Sequence, residues 1–341
     1  MSSGTSTATI VEATFATLQD EGRPSGASWG IAANGALDQF SYHYGNALVG
    51  NQVSVPSLET VMTDLAVAFS DEVIVAVTGA SAEVTVGGLP ARMNQALVVP
   101  AGGELAVRDI RDGVRCYVSI FGGFGELGGG RAFLGSVAPD RTLRYGLDLV
   151  AGLTLGCGPA GRLDVSGREY PFPVLSPPRP QSPAAGELGV LPGENRDLFE
   201  RDADDIFDGD YVMTDKTDAV GSRLEGRIPR RRDTAEILSR ALPIGSIEVP
   251  GGKELLVLNR GRGLSAGYPV VGVICTSSMN VLSQTRPGAA IRFVPITVAA
   301  ARRLRSREAE IIQSARERMT RILDTPRVAG AATNDHKAGK R

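Results

Sequence analysis

Histidine and cysteine are scarce in this chain, numbering 2 and 3 among 341 residues. A histidine-rich metal site or a cysteine–histidine nucleophile needs several such side chains together, so neither chemistry is supported and no metal site is expected. Cys116, Cys157 and Cys275 are widely spaced and odd in number, which suits reduced thiols rather than a disulfide framework. Cys116 and Cys275 fall inside apolar runs and read as small buried hydrophobes. Net charge is only -2, which offers no electrostatic reason to bind nucleic acid. No apolar run approaches the roughly 20 residues of a membrane span, and no leader-like basic and apolar stretch opens the chain. A GxxxxGK[ST] phosphate loop is missing as well, so nucleotide binding by this chain is not expected. Together these absences predict a cytoplasmic protein with no membrane or nucleic-acid partner.

What is abundant is glycine and proline, 42 and 20 residues, punctuating short runs of valine, isoleucine, leucine and threonine. Glu72–Thr78, Ala82–Val86, Ala96–Val99, Glu104–Val107, Arg115–Phe121, Glu254–Leu258 and Val270–Thr276 each read as a strand. Val86–Leu89 (VGGL) reads as a two-residue hairpin turn. Helices are fewer. Asp38–Val49 opens on a capping aspartate and stops before Gly50-Asn51. Arg196–Asp205 and Thr234–Ser239 are shorter candidates, and Val298–Leu323 has apolar residues at helical intervals. Short strands with occasional helices predict a mainly β (α+β) protein of barrel or sandwich type. Pro171–Gly186 holds six prolines and marks a stiff connection between two domains. The stretch after Pro326 lacks apolar periodicity and reads as a disordered basic tail. The glycine cluster Gly122–Gly130 is not followed by a capped helix and reads as a loop rather than a dinucleotide fingerprint.

Four polar segments stand out: Thr17–Arg23 (TLQDEGR), Asn34–Asp38 (NGALD), Gly221–Gly226 (GSRLEG) and Ser265–Pro269 (SAGYP). Each sets glycine beside charged, amide or aromatic side chains, where a turn can present them to a ligand. Gln19, Asp20, Arg23, Asn34, Asp38, Arg223, Glu225 and Tyr268 supply donors, acceptors and one phenol. Such a set suits a polar planar ligand of the urea, amide or carboxylate kind. The plainer readings are turn glycines, a helix N-cap at Asp38, an Arg223–Glu225 ion pair, and an exposed basic loop at Arg230–Arg232.

In this order the segments resemble the allophanate hydrolase subunit 2 family, which includes Kip antagonists, the C subunit of prokaryotic 5-oxoprolinase and part of the urea carboxylase carboxyltransferase domain. Thr17–Arg23 matches its TxQDxGR, Gly35–Asp38 its SGAxD, Leu48–Asn51 its LVGN and Thr78–Ala80 its TGA. Gly221–Gly226 matches RxGxRLEG, and Ala266–Pro269 matches GGYP. The chain departs from the pattern at Asn34 (serine is usual), Ala219 (arginine), Ser222 (aromatic or aliphatic), Asn259 (aspartate), Ala266 (glycine) and Val137–Pro139 (Arg-Ser-Thr).

The resemblance implies two cyclophilin-like β-barrel domains, residues 1–170 and 187–296, joined by linker 171–186 and followed by an amphipathic helix, 297–325, and tail 326–341. It implies one component of a carboxyltransferase or amidolyase-type complex acting on a small urea, amide or 5-oxoproline-like lactam. Its partner would be a subunit 1 (Kip inhibitor-like) homologue, with a biotin carboxylase or a homologue of the 5-oxoprolinase A subunit as a further component. Neither cofactor would be tightly bound: carboxybiotin would arrive on another chain and ATP would act through partner subunits. Arg223 would act as electrostatic donor, Asp38 as orienting carboxylate or base, and Tyr268 as the residue bonding or stacking on substrate. Gln19, Asp20, Arg23, Asn34 and Glu225 would bind substrate. The alternative implied is a non-catalytic regulator of the Kip antagonist type.

Overall fold

β-branched runs bounded by glycine set the architecture, because extended segments that bury one face must find neighbours for both edges. The computed structural model describes residues 6–126, 132–158 and 178–324, apart from 234, 236 and 253. In its first half lie β1 (Thr7–Ala13), β2 (Ala16–Gln19), α1 (Gln39–Leu48), β3 (Ser57–Val61), β4 (Leu65–Phe69) and β5 (Val73–Val86). β6 (Leu89–Ala91), β7 (Leu97–Val99), β8 (Glu104–Ile120), β9 (Phe124–Glu126) and β10 (Thr154–Cys157) complete it. These strands form one sheet, ordered β2-β3-β8-β4-β1-β10-β9, with β5 on β8 and with β6 and β7 on β5. Its core is filled by side chains such as Ile10, Leu58, Val67, Val75, Val107 and Val118.

The second half contains β11 (Glu187–Pro192), β12 (Asp210–Met213), β13 (Gly221–Glu225), β14 (Arg240–Ala241), β15 (Ser246–Glu248) and β16 (Leu255–Leu258). β17 (Ser265–Ala266), β18 (Val270–Ile274), α2 (Thr276–Ser283), β19 (Ala290–Pro295) and α3 (Val298–Asp324) follow. Seven strands close a barrel, β11-β18-β15-β16-β13-β12-β19, sealed by parallel pairing of β11 with β19. Leu188, Tyr211, Leu224, Ile247, Val257 and Phe293 fill it. β14 and β17 form a separate ribbon of two residue pairs.

α3 ties both halves together. Met319 packs beside Val49, Ile74 and Ala76 of the first half. Toward the second half, buried Glu308 accepts hydrogen bonds from Ser277 Oγ (2.9 Å), Asn280 Nδ2 (3.2 Å) and the Gln181 backbone N–H (3.0 Å).

The mainly β architecture with two barrel-like sheets and a C-terminal helix agrees with the sequence-based expectation, and local differences have identifiable causes. Glu104–Val107 and Arg115–Phe121, expected as two strands, belong to one 17-residue strand, β8. β5 pairs along its length, with register shifts at Gly79–Ser81 and Ser81–Glu83, so the polar RDIRDG stretch stays in the ladder. Arg196–Asp205 forms two 3-10 segments, Arg196–Leu198 and Glu200–Phe207, rather than an α-helix. No described residue of Thr234–Ser239 is helical. α2, whose eight residues carry little amphipathic pattern, was not expected from sequence. The tail 326–341, residues 171–177 of the linker and Leu127–Gly130 of the glycine cluster lie outside the described residues. All three cysteines are free and buried, and burial pushes the Cys116 and Cys157 thiols up to about 12. No helix among the described residues is long and apolar enough to cross a membrane.

Truncating Met319 to alanine empties a contact that joins the sheet to α3. Urea unfolding of Met319→Ala is expected to show a loss of about 2–5 kcal/mol, the usual range for a buried methionine.

Candidate functional site

The first two polar segments fold against each other. Arg23 N–H donates to Ala33 O at 2.7 Å and Ala36 N–H to Asp20 O at 2.9 Å. The approach is so close that a Cβ on Gly22 would meet Asn34 O at 2.5 Å, and one on Gly35 would meet Gly22 N at 2.6 Å. Both glycines have positive φ, +89° and +85°, which side-chain-bearing residues rarely adopt. Between them, buried polar side chains grip the loop after β9. Asp20 accepts from Gly22 N (2.8 Å), Ser136 Oγ (2.6 Å) and Val137 N (2.7 Å). Arg23 is fully buried, bonded to Ala138 O, 3.7 Å from Asp140 and flanked by the Phe133 and Tyr145 rings. Asn34 Nδ2 donates to Asp140 Oδ2 at 2.8 Å. Gln19 Nε2 donates to Thr17 Oγ1, while its Oε1 is buried with no hydrogen-bond partner among the described residues.

The third segment joins this assembly through the turn after β16. Arg260 Nε donates to Asn34 O at 2.7 Å and its Nη2 to Glu21 O at 2.5 Å, while Asn34 N–H donates to Arg260 O. One residue on either side, Asn259 Nδ2 donates to Ser222 Oγ (3.0 Å) and Gly261 N–H to Ala219 O (2.8 Å). Four of the six departures from the family pattern, Asn34, Ala219, Ser222 and Asn259, therefore share one hydrogen-bonded junction.

Asp38 lies in a second buried network. As the N-cap of α1 its Oδ1 accepts from Ser41 N (3.0 Å), and its Oδ2 accepts from Ser41 Oγ (2.5 Å) and Gln284 Nε2 (2.8 Å). Its backbone N–H donates to Tyr117 Oη, and Tyr117 in turn hydrogen-bonds Glu59. Arg115 approaches Glu59 to 4.0 Å. Burial raises the Asp38 and Glu59 carboxyls above their ordinary range, Arg115 opposing the shift at both, and holds the Tyr117 phenol well above its own. Glu59, Arg115, Tyr117 and Gln284 were missed from sequence because they come from β3, β8 and the end of α2. The network is sealed: Asp38 and Tyr117 have no exposed surface.

Arg223 stands apart. It pairs with Glu254, not with Glu225 as the sequence suggested, and both members are about one-third exposed. Strand alternation explains this: Leu224 enters the barrel core while Arg223 and Glu225 face outward, and cross-strand pairing of Arg223 with Leu256 brings β16 alongside. Asp38, Arg223 and Tyr268 share no hydrogen bond, ion pair or ring contact among the described residues.

Tyr268, about half exposed, lies on an open cleft of about 980 Å3 on the barrel. Ala266–Pro269 form one wall and Arg230–Asp233 another, with Ile237, Val249 and Gly251 between. Arg232 Nε is held by Phe199 O at 2.7 Å, and Arg231 Nη2 by Ala235 O at 2.6 Å. Arg231 Nε is buried without a hydrogen-bond partner among the described residues. The triple arginine, expected as an exposed loop, is thus a partly anchored wall. A cavity of about 500 Å3 between α1 and α3, walled by Tyr44, Leu48, Ile311, Ala315, Met319 and Ile322, holds none of the eight sequence candidates. The cleft has the size and mixed polarity of a small-molecule site.

Two barrel-like sheets are thus strapped by one helix, with a polar junction between them and a cleft on the second. The chain belongs to the family described as carboxyltransferase domain, subdomain A and B, whose model matches residues 29–295. It is 28% identical to the 5-oxoprolinase C subunit of Escherichia coli over 289 residues, 82% of this chain and 88% of that protein. With urea amidolyase of Saccharomyces cerevisiae it shares 25% identity over 316 residues, 87% of this chain but 17% of the other. The crystal structure of the Kluyveromyces lactis urea carboxylase shares its fold, with a TM-score of 0.77 at 22% identity, covering 92% of this chain and 29% of that one.

Stability separates the two arginine environments. Arg23→Ala takes the buried guanidinium away from Asp140 and Ala138 O and is expected to cost about 3–5 kcal/mol in denaturant unfolding. Arg223→Ala, breaking a partly exposed pair, should cost less than about 1 kcal/mol by the same measurement.

Proposed function

We propose that this chain is one component of an enzyme complex that acts on a small urea, amide or 5-oxoproline-like lactam. Its partner in this reading is a subunit 1 (Kip inhibitor-like) homologue, with a biotin carboxylase or a homologue of the 5-oxoprolinase A subunit as a further component. The observation carrying this reading is the match to 5-oxoprolinase C subunits over 88% and 96% of their length. Carboxybiotin, where the complex uses it, is a substrate delivered by another chain, and ATP acts through partner subunits.

Within the complex, the Tyr268 cleft receives the substrate. Tyr268 offers a phenol to hydrogen-bond or stack on a planar amide, and the neighbouring arginines favour charge growing on its oxygen. Arg223 is the nearest of the other proposed catalytic groups to solvent, and Glu225 faces outward on the same strand. Asp38 acts at a distance, by fixing the start of α1. Gln19, Asp20, Arg23 and Asn34 hold the junction in shape rather than touching substrate.

A second reading, a non-catalytic binding protein that regulates its partner, is favoured by one feature: Asp38 is sealed and Arg223 is engaged by Glu254. Co-purification with the partner and an assay of ATP-dependent 5-oxoproline or urea turnover separates the two. Turnover supports the enzyme, whereas a stable complex without turnover supports the regulator.

In the reconstituted complex, Tyr268→Phe and Arg223→Ala are each expected to lower kcat/KM by tenfold or more, about 1.4 kcal/mol of barrier. A loss below about threefold for either removes that residue from the mechanism.

A further inference from the structure

Glu248 is buried to 1% exposure, yet its Oε1 has no hydrogen-bond partner among the described residues. It lies on β15 where the register shifts, directly opposite Leu256 on β16 and Val270 on β18. Its neighbour Ile247 fills the barrel, so alternation turns Glu248 outward. There Leu256 and Val270 pack with Leu242 and Ala266, beneath the β14–β17 ribbon. The next residue, Val249, and the ribbon's Ala266 both line the Tyr268 cleft.

Arg240, on the ribbon, is the charge that acts on Glu248. Its Nε lies 3.3 Å from the exposed Glu194, while its Nη2 is buried without a hydrogen-bond partner among the described residues. A buried acceptor and a buried donor are thus both unpaired behind one wall of the cleft, whereas such atoms are nearly always satisfied. A lactam or urea holds its N–H and C=O on one edge and offers the matching donor and acceptor.

We infer that Glu248 and Arg240 form a recognition pair for a cis-amide or urea edge, the carboxylate accepting its N–H and the guanidinium donating to its carbonyl. This rests on the reading of the chain as acting on small amides, and adds the residues that recognise the amide. The ligand reaches the pair when the ribbon lifts. Besides its two residue pairs, the ribbon is held by the Leu242 N–H on Leu264 O (3.0 Å) and by Arg262 on Leu242 O, so these bonds break with it when it lifts. Burial pushes the Glu248 carboxyl up to about 7, against the opposing pull of Arg240, so the accepting form grows between pH 6 and 8.

Calorimetric titration of the full chain with 2-pyrrolidinone, 5-oxoproline and urea tests the pair. The wild type should bind at least one probe, more tightly at pH 8 than at pH 6. Glu248→Gln and Arg240→Gln should each weaken binding tenfold or more, and Glu248→Gln should abolish the pH dependence. If Glu248→Gln fails to fold, Arg240→Gln, on the less buried side chain, carries the test. Wild-type affinity in both variants, with binding lost in Tyr268→Ala, overturns the recognition pair while the cleft reading stands; the two atoms then hold ordered water. Binding of none of the probes by the wild type overturns the recognition pair, while turnover by the reconstituted complex still decides the cleft reading.

Discussion

Hydrogen bonds from the side chains of one sheet's elements to the backbone of the other hold this molecule in one shape. Asn280 Oδ1 accepts from the Gln39 N–H that opens α1, and Gln284 Oε1 accepts from Val114 N and Arg115 N on β8. Arg286 Nη1 donates to Ile110 O, and Arg260 donates to Glu21 O and Asn34 O. These backbone groups sit where neither sheet can supply a ladder partner, and a buried amide or carbonyl left alone costs free energy comparable to a lost hydrogen bond. Each half therefore completes the other. α2, short as it is, carries three of the crossing side chains on or just beyond its eight residues.

This seam explains why the residue types that suggest ligand binding do not all serve a ligand. Asp20, Arg23 and Asn34 are donors and acceptors of the kind a small amide would need, and the fold uses them to hold the loop carrying Ser136 and Asp140. The departures at Asn34, Ala219, Ser222 and Asn259 meet at the same junction, so they change a joint between sheets rather than scattered surface positions. At the cleft on the second barrel, by contrast, Tyr268 is half exposed and Arg231 keeps a buried nitrogen without a hydrogen-bond partner among the described residues.

Much of the architecture was legible because strand signals are local. The VGGL turn appears as the β5–β6 hairpin, with Val86 opposite Leu89. The Asp38 cap and the long final helix also follow from spacing alone. β8 was read as two strands because its polar middle breaks the apolar run, while its pairing with β5 is a long-range property. The candidate site was less legible. Arg223 finds Glu254, 31 positions away, rather than Glu225 two positions away, since residues two apart on a strand lie on one face but too far apart to be preferred over a cross-strand neighbour. Glu248 lies in SIEVP, a stretch that no strand expectation covered, and its burial is set by packing from distant strands.

The amino-acid sequence by itself determined the class of structure, the turns and caps, and the ordered motifs that identify the family, because each depends on residues near one another along the chain. Tertiary structure alone decided which polar side chains are consumed by the seam and which remain free to meet a ligand. Burial and pairing are set by what a distant strand or helix brings into contact, and a carboxylate's chemistry follows from that environment: Asp38 is a sealed cap, and Glu248 a buried acid lifted toward neutrality.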